Sequence, residues 1–387
     1  MKSKVLLVGT LTSKLNGSAR SFVKVGKALK ERGHTVVSVL PDRSGIHSDS
    51  VSSHDKVLVA NIVPVRRSFL AILNIPASMI RFALIVAKEK PNSIHINDIP
   101  WFYLIVVARL FRKRVSIHSR YVEPNLYVSR FIKTFLHHTA KVLFVSEYNK
   151  KLWGYRHENG VVLNNPGIRF AESGEAVTPV TDPYLLVVSR ISPDKGIFEA
   201  IKFFYLISRM PGNSSLRLKV AGGCQYRYQE IYEEKCRLLI RKLGLSDKVD
   251  WLGSVDNTAS LFLGARAYIH LPNFEDPFPT TIMEALAFGT YIVTNARGGI
   301  PEQVDGFEGV HILAQDIIDR LYSLDAEQLM GFQHPDLGLL AIPKKPGAGF
   351  SRSGLYEKRF SWDFFAVRLE NYVCQAGSSA LYANEIR

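Results

Sequence analysis

Cysteine is scarce in this 387-residue chain: Cys224, Cys236 and Cys374 stand apart, with no CxxC pair. That spacing argues against a disulfide framework or a zinc site and for a reducing compartment. No stretch supplies the roughly 20 apolar residues needed to span a bilayer. The most hydrophobic segment, Phe69–Ala87, is interrupted by Asn74, Pro76, Ser78 and Arg81. The start, Met1-Lys2-Ser3-Lys4 then Val5–Val8, meets Asn16-Gly17 too soon for a signal peptide. Short-period repeats, low-complexity tracts and DxD motifs are absent. A soluble, cytoplasmic chain is expected.

Acidic residues are scarce in one half only. Against 49 Lys+Arg stand 35 Asp+Glu, a formal net charge of +14. Residues 1–180 carry 27 Lys+Arg and 11 Asp+Glu, a balance of +16, and residues 181–387 carry 22 and 24, a balance of −2. A basic half joined to a neutral half suggests two domains with different partners. The length also suits two domains, each able to bury a core.

Short apolar runs alternate with helical patterns, which is how a parallel α/β sheet reads in sequence. Strands are expected at Val5–Val8, Thr35–Leu40, Lys56–Val59, Ser93–Ile96, Val115–Ile117, Val142–Val145 and Val161–Leu163. A helix from about Ala19 to Arg32 places Phe22, Val25, Ala28 and Leu29 on one face and stops at Gly33. The polar, proline-bearing stretch Ala171–Pro183 reads as a linker. It separates an N-terminal Rossmann-like domain, 1–175, from a second domain, 183–360. There, strands are expected at Tyr184–Ser189, Leu216–Ala221, Val249–Leu252, Ala267–Leu271 and Tyr291–Thr294. Helices are expected near 197–210, 227–243, 258–264 and 281–288. After Ala341 a Lys/Pro/Gly-rich loop precedes a last helix, Trp362–Val373. The 361–387 segment is expected to pack back on the first domain. Two such sheets would face their strand-end crevices, where ligands of open α/β sheets bind.

The run Phe274-Glu275-Asp276-Pro277-Phe278-Pro279-Thr280-Thr281-Ile282-Met283-Glu284-Ala285 follows a strand and opens a helix. Two carboxylates, Asp276 and Glu284, flank the free N–H groups of Thr280, Thr281 and Ile282, a ready anion site. A carboxylate accepts two hydrogen bonds from a vicinal diol, so diol, phosphate and diol describe a nucleotide-sugar. Thr281-Ile282-Met283-Glu284 also fits a capping box, which needs no ligand. Earlier, Arg190-Ile191-Ser192-Pro193-Asp194-Lys195-Gly196 follows a strand directly. An Arg fork and a Lys point charge there would neutralise a diphosphate, although an ordinary solvated turn has the same composition.

The segment Val187–Gly196 resembles the "GR-l-x-x-x-KG" signature of retaining glycosyltransferases of glycosyltransferase family 4. Asp276 to Glu284 resembles that family's E-x7-E motif. Glu284-Ala285-Leu286-Ala287-Phe288-Gly289 with Gly298-Gly299-Ile300-Pro301-Glu302 is similar to its "EAxAxG…GGxPE" order, and Val249–Gly253 to its "v-x-f-l-G" strand. These matches cover roughly residues 185–310. The resemblance implies a GT-B fold: two Rossmann-like α/β domains facing each other across a cleft, donor on the C-terminal one and acceptor on the N-terminal one. It implies sugar transfer with retention, no cofactor beyond the nucleotide-diphosphate sugar (UDP- or GDP-linked) as co-substrate, and no obligatory metal. Carried over by position, Arg190 and Lys195 hold the diphosphate, Glu284 the ribose and Asp276 the donor sugar. The family usually has Glu at position 276, and Glu275 is the adjacent longer carboxylate. Ser189 and Thr290-Tyr291 are lesser departures. From the first domain the resemblance adds a glycine loop, here Asn16-Gly17-Ser18, and an active-site His, with His118 the candidate and His95 the competitor.

No residue stands out as a nucleophile for double displacement, so front-face attack is what the resemblance implies. Arg66, Arg67, Arg81, Lys88 and Lys90 flank Phe69–Ala87, and Arg112-Lys113-Arg114 follow Trp101–Leu110. Apolar faces edged by cations suit an anionic membrane, so a peripheral place on its inner face is expected; buried Rossmann helices with solvated ends are the competing reading. With the resemblance, the acceptor is expected to be a saccharide or lipid-linked saccharide of cell-surface polysaccharide or lipopolysaccharide assembly. Other chemistry on this fold, epimerase or phosphorylase, is one alternative. A non-catalytic polyanion binder is another, but nucleic acid is disfavoured by the lack of interleaved Lys/Arg and aromatic residues or any recognition-helix signature.

Overall fold

The computed structural model describes residues 2–9, 17–41, 52–65, 73–120, 130–168, 183–332, 342 and 354–375. They fall into two compact units, one drawn from Met1–Pro166 and Phe360–Arg387, the other from Gly167–Arg359. The linker expected at 171–183 lies almost wholly outside the described residues, as does most of the loop after Ala341.

The first unit is built on β1 (Lys4–Val8), β2 (Thr35–Leu40), β3 (Lys56–Val59), β4 (Ser93–Ile96), β5 (Arg114–Ser119), β6 (Lys141–Phe144) and β7 (Gly160–Val162). They form one parallel sheet in the order β3-β2-β1-β4-β5-β6-β7. Strands covered on both faces need no polar alternation, and Val5, Leu6, Leu7 and Val8 are all fully buried. The helices between them are α1 (Gly17–Glu31), α2 (Ile75–Glu89), α3 (Leu104–Leu110), α4 (Arg130–Thr139) and α5 (Glu147–Leu152).

The expected face of α1 is buried in full, Phe22, Val25, Ala28 and Leu29 included. Gly33 ends it at φ +85°, a left-handed conformation that glycine adopts without penalty. Asn74 and Pro76, which break the apolar run in sequence, set the start of α2: Asn74 is its N-cap and the proline lies in its first turn. This helix buries Ser78, Phe82, Val86 and Glu89 but leaves Ile80 and Leu84 about two-thirds exposed. A wholly buried helix is therefore not what this segment forms.

The second unit contains β8 (Tyr184–Val188), β9 (Arg217–Ala221), β10 (Val249–Gly253), β11 (Ala267–His270), β12 (Ile292–Thr294) and β13 (Val310–Ile312), parallel and in the order β10-β9-β8-β11-β12-β13. Its helices are α6 (Ile197–Ser208), α7 (Arg227–Lys242), α8 (Ala259–Gly264), α9 (Thr280–Ala287), α10 (Ile300–Val304), α11 (Gln315–Ser323) and α12 (Ala326–Met330), followed by α13 (Gly354–Phe360). The strand β13 and the helices α10 to α13 were not anticipated. The last helix, α14 (Trp362–Val373), belongs to the first unit: Trp362, Phe365 and Leu369 share a core with Phe22 and Leu29, and Trp362 Nε1 donates to Glu31 at 2.9 Å.

Each sheet reverses strand order once, between β1 and β4 in the first unit and between β8 and β11 in the second. At such a switch point neighbouring loops diverge and leave a crevice at the carboxyl edge. The residues singled out by sequence gather at these two edges.

Candidate functional site

In the second unit the chain leaves β8 through Ser189-Arg190 and reaches Lys195 in a short 3-10 turn, Pro193–Lys195. Gly196 then enters α6 at φ +70°; a Cβ there would lie 1.6 Å from Leu271 O, so no other residue fits this approach of two loops. Leaving β11, the chain passes Asp276 before α9. Lys195 Nζ donates to Asp276 Oδ2 at 2.7 Å and lies 4.5 Å from the Phe274 ring centre. The loops after β8 and β11 are thus fastened by one ion pair at the switch point.

Asp276 is 7% exposed, and its other oxygen accepts from the Phe278 N–H at 3.3 Å. Gly298, at φ +61°, lets the following loop pass: a Cβ there would sit 2.1 Å from Asp276 O, and Gly299 N–H donates to that carbonyl at 2.8 Å. Glu275 does not substitute for the shorter Asp276. Its carboxylate accepts from Gly298 N–H and lies 3.4 Å from Arg297, holding the same turn.

Arg190 takes a different position from Lys195. It is exposed and lies 3.6 Å from Asp194, which also lies 3.9 Å from Lys195. Asp194 therefore stands between the two cations, with Ser192 Oγ donating to it. The pair expected to neutralise a diphosphate is present, joined through an acid that sequence reasoning passed over.

The capping-box reading of Glu284 is overturned. Pro279 is the N-cap of α9, and it has no side-chain cap. Thr280 and Thr281 are then the first two helical residues, which puts Glu284 beyond the first turn. Its carboxylate instead accepts from Thr258 Oγ at 3.0 Å, on the loop before α8. The first N–H groups of α9 have no intrahelical partner by construction, so this terminus suits an anion. Thr281 Oγ accepts from the buried Tyr268 hydroxyl at 2.6 Å. Next to it His270, 3% exposed, contacts Tyr268 at 3.2 Å, and burial lowers its pKa to about 4. Its Nε2 is buried without a hydrogen-bond partner among the described residues. A lone His ending an apolar strand gave no signal in sequence.

In the first unit Gly17 is the first residue of α1, and Asn16 lies outside the described residues. His118, next to last in β5, is fully buried, with its ring 6.1 Å from that of His95 on the adjacent β4. Arg120 Nη2 donates to His118 Nδ1 at 3.0 Å. An acceptor Nδ1 puts the imidazole proton on Nε2, which has no partner among the described residues. Burial, then the Arg120 charge, holds the His118 pKa well below its ordinary value. His118 is thus a neutral N–H donor and not a proton-delivering cation. His95 spends Nδ1 on Ser116 Oγ at 2.8 Å. Arg120 also donates through Nε to Asn97 Oδ1 at 2.9 Å and through Nη1 to Asn165 Oδ1. These three residues lie 23 and 45 positions apart and form no motif, so sequence reasoning missed them. Among the described residues no group of three or more His, Cys, Asp or Glu could hold a metal ion, and no helix is long and apolar enough to cross a membrane.

Comparison with known proteins completes the assignment. The family model for glycosyl transferases group 1 matches residues 169–320, and that for glycosyltransferase family 4 matches residues 15–159. The chain belongs to the family-4-like GT-B glycosyltransferases. A D-inositol 3-phosphate glycosyltransferase of Mycobacterium avium is 29% identical over 202 residues, 51% of this chain and 43% of that relative. The match thus spans less than half of that curated relative. A glycosyltransferase from Rickettsia africae superposes with a TM-score of 0.72 at 19% identity, covering 96% of this chain and 98% of that one. Anabaena HepE, solved in complex with UDP and glucose, gives 0.70 at 16% identity, covering 95% and 98%. These structural likenesses establish the two-domain GT-B fold.

Proposed function

We propose that the chain transfers a sugar from a nucleotide-diphosphate sugar to an acceptor, with the donor diphosphate held by the second unit. The observation that carries this reading is the Lys195–Asp276 pair at 2.7 Å beside the uncapped start of α9. Departure of a nucleoside diphosphate builds negative charge on the leaving phosphate. Fixed cations and helix N–H groups stabilise that charge without reorganising, the term that usually dominates. Lys195, Arg190 and the N–H groups of Thr280 and Thr281 supply it, so the reaction needs no metal. Glu284 takes the ribose diol and Asp276 the hydroxyls of the donor sugar.

Transfer proceeds with retention by front-face attack: Asp276 is held by Lys195 and the Phe278 N–H, Glu275 by the Gly298 N–H, and Glu284 by the Thr258 hydroxyl. HepE's complex with UDP and glucose favours a UDP-linked donor here. The acceptor is a lipid-linked saccharide of cell-surface polysaccharide assembly, and the basic first unit docks on anionic membrane. Ile80 and Leu84 of α2 stand exposed beside Arg81 and Lys88, and Leu110 and Phe111 beside Arg112. Apolar side chains ringed by cations favour an anionic lipid surface.

A thermal-shift screen against UDP-, GDP-, ADP- and CMP-sugars tests the donor assignment. One nucleotide class is expected to raise Tm, and Lys195→Ala to remove that rise; no shift with any class would overturn it. Sedimentation with anionic liposomes tests the membrane reading. Salt-sensitive binding weakened by Ile80→Ser and Leu84→Ser is expected, and no binding at low salt would discard it.

A further inference from the structure

Four charges meet where the loops after β8 and β11 come together: Arg190, Asp194, Lys195 and Asp276, in successive contacts of 3.6, 3.9 and 2.7 Å. Two cations face two carboxylates, so the row is neutral. Its tightest contact is also its driest, with the Lys195 and Asp276 side chains only 15% and 9% exposed. Solvent and salt screen such a pair little. An anion that takes the Lys195 charge must therefore compete with Asp276 for it. The ammonium has three N–H donors and can touch both, but two anions on one cation repel each other.

The backbone decides which partner yields. Asp276 is clamped through its main chain: its N–H donates to Phe274 O at 3.0 Å, its carbonyl accepts from Gly299 N–H at 2.8 Å, and Gly298 packs against that carbonyl with no space for a side chain. Its Oδ1 accepts from the Phe278 N–H, which orients the carboxylate and leaves Oδ2 for Lys195. Lys195 N–H is fixed to Ser192 O at 3.0 Å, yet a flexible four-carbon stem separates its ammonium from that anchor. Lys195 moves and Asp276 stays. An Oδ2 deserted by its cation is a buried charged acceptor, which is costly until a donor reaches it. Sugar hydroxyls are such donors; the oxygens of a bare diphosphate only accept.

We infer that Asp276 is the residue by which the site distinguishes an intact nucleotide-sugar from the nucleoside diphosphate left after transfer, an inference that rests on the donor reading above. With the whole donor, the sugar-linked phosphate takes Lys195 and the sugar's hydroxyls take Asp276, so both charges stay partnered. Once the sugar has left, Asp276 competes for Lys195 again and loosens the hold on the diphosphate. Asp276 thus promotes product release as well as contacting the sugar.

The test is titration calorimetry of the intact chain with UDP and UMP, in the wild type, Asp276→Asn and Glu275→Gln. Asparagine keeps the shape of Asp276 without its charge. It is expected to tighten UDP binding by about tenfold and to leave UMP unchanged, because UMP lacks the phosphate that Lys195 takes. Glu275→Gln removes a neighbouring carboxylate that is not on Lys195, and is expected to change neither affinity. Should Asp276→Asn fail to fold, Asp276→Ser removes the charge with a smaller side chain and is expected to tighten UDP binding too. Equal UDP affinity in the wild type and Asp276→Asn, equal tightening of UMP, or the same tightening from Glu275→Gln would each overturn the inference while leaving the donor reading standing. Failure of UDP to bind the wild type would overturn both.

Discussion

Lys195 and Asp276, 81 residues apart, meet at 2.7 Å and tie the loops that follow two neighbouring strands of the second sheet. Arg190, five residues before Lys195, stands exposed against Asp194 at 3.6 Å. Two cations of one motif thus serve different ends. Lys195→Ala strands the buried Asp276, and is expected to cost about 1–3 kcal/mol of stability along with at least about 100-fold in kcat/KM. Arg190→Ala is expected to change stability by under about 0.5 kcal/mol while transfer still falls at least about tenfold. Urea unfolding and steady-state kinetics on both variants check the contrast.

Glu284→Gln separates folding from donor binding. The amide oxygen of Gln still accepts from Thr258, so stability is expected to hold within about 1 kcal/mol. The charged acceptor for a ribose diol is gone, and donor affinity is expected to drop by about tenfold. Calorimetry with the donor and a thermal melt measure the two effects; unchanged affinity would remove Glu284 from the ribose.

Gly298→Ala tests how the Asp276 turn is held. Its φ of +61° and the 2.1 Å approach to Asp276 O leave no room for a methyl group. A loss of about 1–3 kcal/mol is expected, with a larger fall in kcat/KM than in stability because Asp276 moves. Asp276→Glu, which keeps the charge and lengthens the reach, is expected to change donor-sugar preference. Identical kinetics across donor sugars would argue against a contact there.

Glu199, buried on α6 four residues after Lys195, has its pKa raised to about 7 by burial, with one carboxylate oxygen lacking a partner among the described residues. Its ordinary value is 4.5, so between pH 4.5 and 7 the folded state binds more protons than the unfolded one. Stability therefore falls as pH rises through that window. Glu199→Gln is expected to raise stability at pH 8 by on the order of 2 kcal/mol and to change little at pH 4. Equal effects at both pH values would contradict this.

Much of the sheet architecture is legible in sequence because a buried parallel strand reads as an apolar run: Thr35–Leu40, Lys56–Val59 and Ser93–Ile96 match the structure residue for residue. Three-residue β13, set among glycines, carries too little apolar sequence to read. The capping box at Thr281 failed because it depends on where α9 begins, and Pro279 starts the helix one residue sooner than expected. Arg190, Lys195 and Asp276 were legible through local motifs. Arg120 was not, since Asn97, His118 and Asn165 reach it only when β4, β5 and β7 align their ends.

Nuclear magnetic resonance analysis of the products from the donor identified by thermal shift tests glycosyl transfer most directly. The intact chain with a saccharide acceptor is expected to release nucleoside diphosphate and form a new glycosidic bond with the donor's anomeric configuration, and Lys195→Ala to form none. An epimerised nucleotide-sugar, a free sugar phosphate, or turnover undiminished by Lys195→Ala would contradict it.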